Sequence, residues 1–459
     1  MRSFDINYQP RYQSQQQPPA ERPSAPRRKR RWKLKLILLI LALGLVYAGF
    51  NGAQILSKTN KIFTGKGNIF VRVSKMIFGK TQPLQGEETG TVNILLLGYG
   101  GPGHDGAYLT DTMIVASINM ETKEVVLISI PRDFVISFPN RGFQKINAAY
   151  AYAEASQPGT GGPAAIAAAE KVTGLTIPYY ASVDFKGFVK AVDHVGGVDI
   201  TVDRTFTDNM YPNSKNGYLP PVTFTKGIEH MNGERALIFA RSRHGNNGEG
   251  NDFARSERQK KILVAMKTKL QNLGLTDIST INELLNDFTE NFRTNLEPTE
   301  LKRLSEVAHD IPADNIYSLS LDPDEKLICQ GMIEDYTVKA YVIQPCEGKT
   351  LADIHAYLVN ATTIAKLSKE GATIEVQNTT GKTKNIDAIK NLSNLGAKVK
   401  YATYKGKSSY DRTILYDNSQ GRKPKTLQYL KDLNLSVSDV PFYDAQPGSD
   451  FVILIGNDM

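Results

Sequence analysis

Three apolar runs between residues 91 and 131 constrain the fold of this chain more than any other feature. They read TVNILLLGYG, DTMIVASINM and EVVLISIP, and the polar turn ETKE separates the last two. Apolar runs of this length that are bounded by glycine, proline or a polar turn are typical of strands buried on both faces. The sequence therefore predicts a sheet whose two faces are both covered.

The segments that follow alternate between helix and strand. GGPAAIAAAEKVTG predicts an Ala-rich helix that ends at Gly174, and FKGFVKAVDHVGGVDITV predicts a helix, a glycine turn and a strand. This alternation favours a layered α/β domain with a central sheet and flanking helices, which we assign to residues 92–370. A further series of strands and helices predicts a small C-terminal α/β domain over residues 371–459.

The N-terminal segment has the composition of a membrane anchor. A basic cluster precedes 15 uninterrupted apolar residues, Leu36 to Phe50, and Lys33 and Lys35 can extend toward the lipid headgroups. The positive-inside rule then predicts that the rest of the chain is extracytoplasmic. A cleaved signal peptide is the alternative. The predicted parts are a cytoplasmic tail (1–31), one transmembrane helix (32–56) and a stalk (57–91).

The charge distribution argues against a nucleic-acid-binding protein. Residues 1–35 carry ten Lys or Arg and two acidic residues, an excess that equals the net charge of +8 of the whole chain. The remaining residues are therefore neutral overall, whereas nucleic-acid binding needs a basic excess on a folded face. We expect no nucleic acid among the partners.

The two cysteines, Cys329 and Cys346, lie in the part of the chain that is predicted to be extracytoplasmic. Disulfides persist in that compartment, so a disulfide that bridges a hairpin is one interpretation. Two buried free thiols are the other.

A break in the polar and apolar pattern of a helix that begins at Asp252 indicates a ligand site. The apolar stripe of this helix continues backwards into side chains that a core-facing surface would not carry, namely Gln259, Arg258 and Arg255.

The preceding segment supplies Arg241 and Arg243, so four guanidiniums can converge. Cations held this close together require an anion, and forked guanidinium donors suit a phosphate or pyrophosphate. The alternative is a solvated charged face with ion pairs to Glu249 and Glu257.

Two further segments carry charged residues next to the apolar runs. Arg132 and Asp133 follow the third run, at the carboxyl edge where α/β folds bind ligands. A glycine-rich loop with Asp105 leads to Asp111 at the start of the second run. Two carboxylates beside several arginines suit a divalent cation that bridges phosphate oxygens.

These motifs resemble those of the LytR-CpsA-Psr family. The similarity covers NILLLG, TDTMIVASIN, SIPRD, KINAAYAYA, VDFKGFVKAVDHVGGVDI, NGERALIFARSRH and DFARSERQ. The segment 371–459 resembles the LytR C-terminal domain that often follows in this family.

The resemblance implies an extracytoplasmic phosphotransferase that joins a glycopolymer from an undecaprenyl pyrophosphate carrier to peptidoglycan through a phosphodiester, with Mg²⁺ or Mn²⁺ as cofactor. A pyrophosphatase side activity would be compatible with this chemistry. It implies catalytic roles for Asp111, Arg132 and Arg241. By the same resemblance, the pyrophosphate-binding residues are Arg132, Lys145, Arg241, Arg243, Arg255 and Gln259.

The metal site that the resemblance implies is centred on Asp111, and the chain departs from the family pattern around it. Tyr99 stands where many members have an aspartate, and AYLT stands where they have an arginine shortly before Asp111. Asp105 is the candidate replacement for the first of these. A polyprenyl-pyrophosphate hydrolase and a non-catalytic lipid-binding or regulatory membrane protein are therefore the alternative functions.

We expect the N-terminus to remain attached and cytoplasmic, because the basic cluster adjoins an apolar run without charge. Protease added outside intact cells should remove the extracytoplasmic part and leave the tail, as an antibody against an N-terminal tag would detect. A mature protein that begins near residue 53 would contradict this expectation.

Overall fold

The computed structural model describes residues 82–213, 217–272, 291–321, 327–335, 338–380, 392, 397–406, 409–433, 435–438, 440, 442 and 448–458. The predicted tail, the transmembrane segment 32–56 and most of the stalk lie outside these residues. Within the described part of the chain, no helix is both long and apolar enough to cross a membrane.

The described strands are numbered in chain order. They are β1 (Thr91–Tyr99), β2 (Thr110–Asn119), β3 (Glu124–Ser129), β4 (Val135–Phe138), β5 (Gly142–Lys145), β6 (Tyr179–Asp184), β7 (Val198–Val202), β8 (Phe206–Asp208), β9 (Val222–Phe224), β10 (Gly227–Met231), β11 (Phe292–Thr294), β12 (Ile316–Ser320), β13 (Ile328–Asp335), β14 (Val338–Pro345), β15 (Thr373–Asn378), β16 (Lys398–Ala402), β17 (Ile414–Asp417), β18 (Ser436–Ser438) and β19 (Phe451–Ile455).

The described α-helices alternate with these strands. They are α1 (Ala148–Ser156), α2 (Gly161–Thr173), α3 (Phe185–His194), α4 (Gly233–Arg241), α5 (Asp252–Asn272), α6 (Pro298–Asp310), α7 (Leu351–Val359), α8 (Ala361–Glu370) and α9 (Pro424–Asp432). The helix that was predicted to end at Gly174 is α2, and Gly174 terminates it in the left-handed conformation, with φ 70°.

A mixed six-stranded sheet forms the centre of the fold, in the order β11-β6-β1-β2-β3-β12. The three apolar runs are its strands β1, β2 and β3, which pair antiparallel in sequence. β6 is parallel to β1 and β12 is parallel to β3, so four strands point their carboxyl ends toward one edge. The predicted α/β class with a central sheet is confirmed.

Both faces of the central sheet are covered, as the apolar runs predict. One face packs through Leu95, Val115 and Ile128 against α1, α2, α7 and α8. The other packs through Ile94, Ile114 and other apolar side chains against α5 and α6. Each strand alternates its side chains between two cores, which explains why the runs contain so few polar residues.

A second sheet of five strands follows, in the order β16-β15-β19-β17-β18. It has an apolar core of its own, which includes Ile374, Leu415 and Ile453. The carboxylate of Glu370, at the end of α8, accepts hydrogen bonds from the backbone N–H groups of Lys425 and Thr426 at 2.8 and 2.7 Å. The predicted strands after Gly371 and the helix α9 are present, whereas the helix predicted over 385–396 lies almost entirely outside the described residues.

The hairpin of β13 and β14 contains a disulfide between Cys329 and Cys346, whose Cα atoms are 4.9 Å apart. The interpretation as a hairpin-bridging disulfide is confirmed, and the alternative of two free thiols is wrong. The bond ties β13 to the residue that directly follows β14.

The contact between α3 and α4 generates a prediction about stability. A Cβ at Gly233 would overlap the backbone carbonyl of Val189 on α3, and backbone cannot move as a side chain can. We expect Gly233→Ala to lower the free energy of unfolding by about 1 to 3 kcal/mol. Glu234→Ala, at the next and exposed position, should change it by less than about 0.5 kcal/mol. Denaturant titration of both variants measures the difference; equal values would contradict it.

Candidate active site

Strand ends place the first charged residues at the carboxyl edge of the central sheet. β2 runs opposite to its neighbours, so its second residue, Asp111, lies beside the segment that follows β3. There the guanidinium of Arg132 donates a hydrogen bond to the Asp111 carboxylate. Arg132 Nε also lies 3.4 Å from a carboxylate oxygen of Asp133. The expected position of Arg132 at this edge is confirmed.

Asp133, the neighbour of Arg132, forms a second ion pair with Lys145. Asp133 is 6% exposed, and its carboxylate accepts a hydrogen bond of 2.6 Å from the ammonium of Lys145. Burial alone would raise the pKa of Asp133, but Lys145 and Arg132 together hold it below its usual value. Lys145 thus contacts Asp133. Two cavities lie at this edge of the sheet, and Lys145 lines neither of them.

A buried carboxylate fixes the segment that carries two further arginines. Asp208 accepts hydrogen bonds from the Ser242 hydroxyl at 2.5 Å and from the backbone N–H groups of Arg243 and His244 at 3.1 and 3.3 Å. Burial would raise the pKa of Asp208, but these hydrogen bonds and one from Met210 lower it overall. The backbone between α4 and α5 is therefore anchored to an ionised group.

Arg241 closes α4 and faces an aromatic wall. The guanidinium carbon lies 4.1 Å from the centre of the Phe185 ring, and a guanidinium N–H donates to the Tyr211 hydroxyl at 3.2 Å. A cation over an aromatic face is attracted by the ring quadrupole. These contacts keep the Arg241 charge at the surface of a cavity rather than in bulk solvent.

On α5, Arg255 and Gln259 point into the site, but Arg258 does not. Arg258 is 3% exposed, pairs with Glu249 at 2.5 Å and donates to the carbonyl of Phe239 at 2.9 Å. It also donates to the Ser242 carbonyl. The sequence interpretation that placed it in the cluster is wrong, because a step of three residues turns a side chain by about 60° around the helix.

Two cavities meet at the remaining charged residues. The polar chamber, of about 440 Å³, lies over β3 and β12 and under the β13–β14 hairpin. The apolar groove, of about 520 Å³, lies over β1 and β6 and is lined by residues such as Leu96, Val183, Phe188, Leu263 and Phe292. Both cavities are lined by Asp111, Arg132, Arg243, Arg255 and Gln259.

Arg132, Arg241, Arg243 and Arg255, which come from separate segments, thus line one groove, and Asp111 lies between the two cavities. Arg241 lines the groove but not the chamber. The alternative interpretation is right for one pair, because Glu249 binds Arg258, whereas Glu257 binds Lys260 and none of the four arginines that line the groove.

The predicted second metal ligand lies elsewhere. Asp105 is exposed and lines neither cavity. Tyr99, at the position where an aspartate is typical, is buried and stacks on Tyr150 with 5.2 Å between ring centres. In the described residues, no three His, Cys, Asp or Glu side chains are grouped as metal ligands. A metal role for Asp105 stays a prediction.

Sequence reasoning missed several residues that form the site. Asp208 lies outside the motifs quoted from the sequence, and Ser242 lies between Arg241 and Arg243 in one of them without a chemical role assigned to it. Gln330 and Tyr341 line the polar chamber from the hairpin. For Gln330 and Tyr341, the available signal was the pair of cysteines, because a bridged hairpin next to a cavity forms a rigid wall.

The chain thus combines an α/β fold with an arginine-lined cleft at the carboxyl edge of its central sheet. The LytR_cpsA_psr family model matches residues 56–354, and the chain belongs to the LytR-CpsA-Psr family.

Curated relatives agree with this assignment. The chain is 31% identical over 216 residues to the polyisoprenyl-teichoic acid–peptidoglycan teichoic acid transferase TagU of Enterococcus faecalis, covering 46% of this chain and 64% of that protein. That share is less than two thirds of the relative's length. A TagU of Bacillus mycoides is 30% identical over 276 residues, covering 59% of this chain and 80% of the relative.

Solved structures include similar chains. A crystal structure of Bacillus subtilis TagV is 26% identical, covers 59% of this chain and 97% of its own, and superposes with a TM-score of 0.44. The family assignment rests on the sequence matches.

Loss of Arg258 should lower the free energy of unfolding far more than loss of Arg241. Arg258→Met leaves the Glu249 carboxylate and the three carbonyls of Phe239, Ser242 and Glu249 without their buried donor, so the free energy of unfolding should fall by about 3 to 5 kcal/mol. Arg241→Ala removes contacts with the Phe185 and Tyr211 rings and one hydrogen bond to the Tyr211 hydroxyl, but it also relieves repulsion among like charges, so the change should stay below about 1 kcal/mol. Denaturant titration compares the two. Similar losses would show that Arg241 is also structural.

Proposed function

We propose that this chain transfers a glycopolymer from a polyprenyl pyrophosphate carrier to peptidoglycan as a phosphodiester. One observation carries the proposal: a cluster of arginines lies at the boundary between an apolar groove and a polar chamber. A lipid-linked pyrophosphate has its groups in the same order: an apolar tail for the groove, two phosphates for the arginines and a polar sugar beyond them.

The charges of the cluster support an anionic ligand. The groove is lined by four arginines, namely Arg132, Arg241, Arg243 and Arg255. Asp111 and Asp133 are the carboxylates that pair with Arg132. Guanidiniums in a partly desolvated cleft bind phosphate oxygens through paired N–H donors. The groove can hold an isoprenoid chain because its walls are mostly aliphatic and aromatic side chains.

The names of the relatives support the substrate classes. The E. faecalis and B. mycoides proteins are named as transferases of teichoic acid from a polyisoprenyl carrier to peptidoglycan. We propose the same general donor and acceptor for this chain.

In the proposed reaction, a hydroxyl oxygen of the acceptor forms a bond to the phosphorus that carries the polymer. The bond from that phosphorus to the bridging oxygen breaks, and polyprenyl phosphate leaves into the groove. The hydroxyl proton passes to the carboxylate of Asp133, which lines the chamber. The arginines stabilise the charge that develops on the phosphate oxygens.

Asp111 is the residue that would hold Mg²⁺ or Mn²⁺. Its carboxylate is 34% exposed and lies between both cavities, where ligand phosphates can supply further oxygens. Mg²⁺ commonly binds through one or two carboxylates plus substrate phosphates, so this donor set fits. The ion would withdraw charge from the phosphates when bound.

The proposal extends to the location of the enzyme. A transferase with these substrates works at the outer face of the cytoplasmic membrane, which agrees with the predicted anchor at residues 32–56 and an extracytoplasmic remainder. We also propose that residues 371–459 form a LytR C-terminal domain.

Loss of Arg241 or Arg243 should reduce transfer far more than folding stability. Each Ala variant should lower kcat/KM by about 10²- to 10³-fold, equivalent to about 2.7 to 4 kcal/mol, as removal of a preorganised donor does. Arg235→Ala is the matched control, since Arg235 is on the same helix, pairs with Glu229 and lines neither cavity.

The measurement is product analysis with a short polyprenyl-pyrophosphate substrate, with and without peptidoglycan. Transfer supports the proposal. Release of the polymer to water alone would indicate a hydrolase, and binding without turnover would indicate a non-catalytic lipid-binding protein.

A further inference from the structure

The order of strands in the central sheet places the polar chamber and the apolar groove on opposite sides of β2. β2 is the central boundary: the groove lies over β1 and β6 on one side, and the chamber lies over β3 and β12 on the other. The chamber therefore adjoins the arginines from the side opposite to the apolar walls. A pyrophosphate bound at the arginines would be open to both.

A buried hydroxyl in the chamber lacks a partner. Ser129, the last residue of β3, is 6% exposed and lines the chamber. Within the described residues its Oγ makes no hydrogen bond. An unpaired buried hydroxyl is unfavourable in a folded protein, so its presence in a cavity wall indicates a ligand that supplies the missing hydrogen bond.

The other walls of the chamber suit a sugar. Gln330 on β13 and Tyr341 on β14 line it from the disulfide-bridged hairpin, and Asn251 and Ser256 line it from the segment around the start of α5. Amide and hydroxyl groups can pair with sugar hydroxyls, and an aromatic ring offers an apolar face for a pyranose. These polar groups alternate with apolar side chains such as Ile130 and Leu321, whereas the lining of the groove is mainly apolar.

The geometry of phosphoryl transfer determines which sugar this is. The attacking and leaving oxygens lie roughly in line through the phosphorus. If the polyprenyl phosphate leaves into the groove, the attacking hydroxyl must come from the other side of the arginines, which is the chamber. The sugar of the donor is bonded to an oxygen outside that line, so it is not the expected occupant.

We propose that the polar chamber is the acceptor site and binds an N-acetylated amino-sugar saccharide, with Ser129, Gln330 and Tyr341 as binding residues. This inference rests on the proposed transferase function, and it adds the position of the acceptor.

The test uses the full chain in detergent micelles, a short polyprenyl-pyrophosphate donor and a soluble peptidoglycan saccharide as acceptor. Ser129→Ala and Tyr341→Ala should each raise the KM for the acceptor by about tenfold, the effect of one lost hydrogen bond or stacking contact. The KM for the donor should not change. Ser129→Ala removes a hydroxyl that is unpaired in the free protein, so its thermal stability should not fall.

Met332→Ala is the matched control for the hairpin. Met332 is on β13, is 58% exposed and does not line the chamber. Its variant should keep the acceptor KM of the unmodified chain, which separates a local effect from a general loosening of the hairpin.

An unchanged acceptor KM in both chamber variants would overturn the proposal. So would a rise in the donor KM, which would place the sugar of the donor in the chamber.

If the unmodified chain only releases polymer to water, the transferase function fails first, and calorimetric titration with the saccharide then tests the chamber alone. Binding that is weakened about tenfold in Ser129→Ala supports a saccharide site, and equal binding or none in the unmodified chain overturns it.

Discussion

The site depends on one buried carboxylate. Asp208 accepts hydrogen bonds from the Ser242 hydroxyl and from the backbone of Arg243 and His244, so it fixes the short segment between α4 and α5. Arg258 reinforces the same segment by donating to the Phe239 and Ser242 carbonyls. Without these contacts, repulsion would push the cationic side chains apart, because like charges disfavour each other at short range.

The central sheet determines where this segment can act. Four strands end at the same edge, and the antiparallel β2 begins there, which brings Asp111 next to Arg132. The same arrangement separates the apolar groove from the polar chamber. A ligand with one apolar end and one polar end can then lie across β2 with its charge at the arginines. Catalysis in such a site is mainly electrostatic and positional.

Much of this could be predicted from sequence, and the failures have identifiable causes. The runs of β1 to β3 were recognisable because burial on both faces leaves no room for polar residues. Arg258 was predicted to share a helix face with Arg255 and Gln259. The prediction was wrong because helical periodicity does not specify which of the residues at the border of a face points into the site. Lys145, which was predicted to contact pyrophosphate, has its ammonium beside Asp133 and lines neither cavity, and its role stays a prediction. Nothing local to KINAAY specifies that pairing.

The sequence by itself determined the α/β class, the covered sheet and the surplus of arginines near one helix, since these depend on local composition and periodicity. Only the tertiary structure decided which guanidiniums face the cleft and which one is buried against Glu249. It also decided that Tyr99 turns into the core beside Tyr150. The physical reason is that strand order and helix packing bring together residues far apart in sequence, and no local pattern specifies those partners.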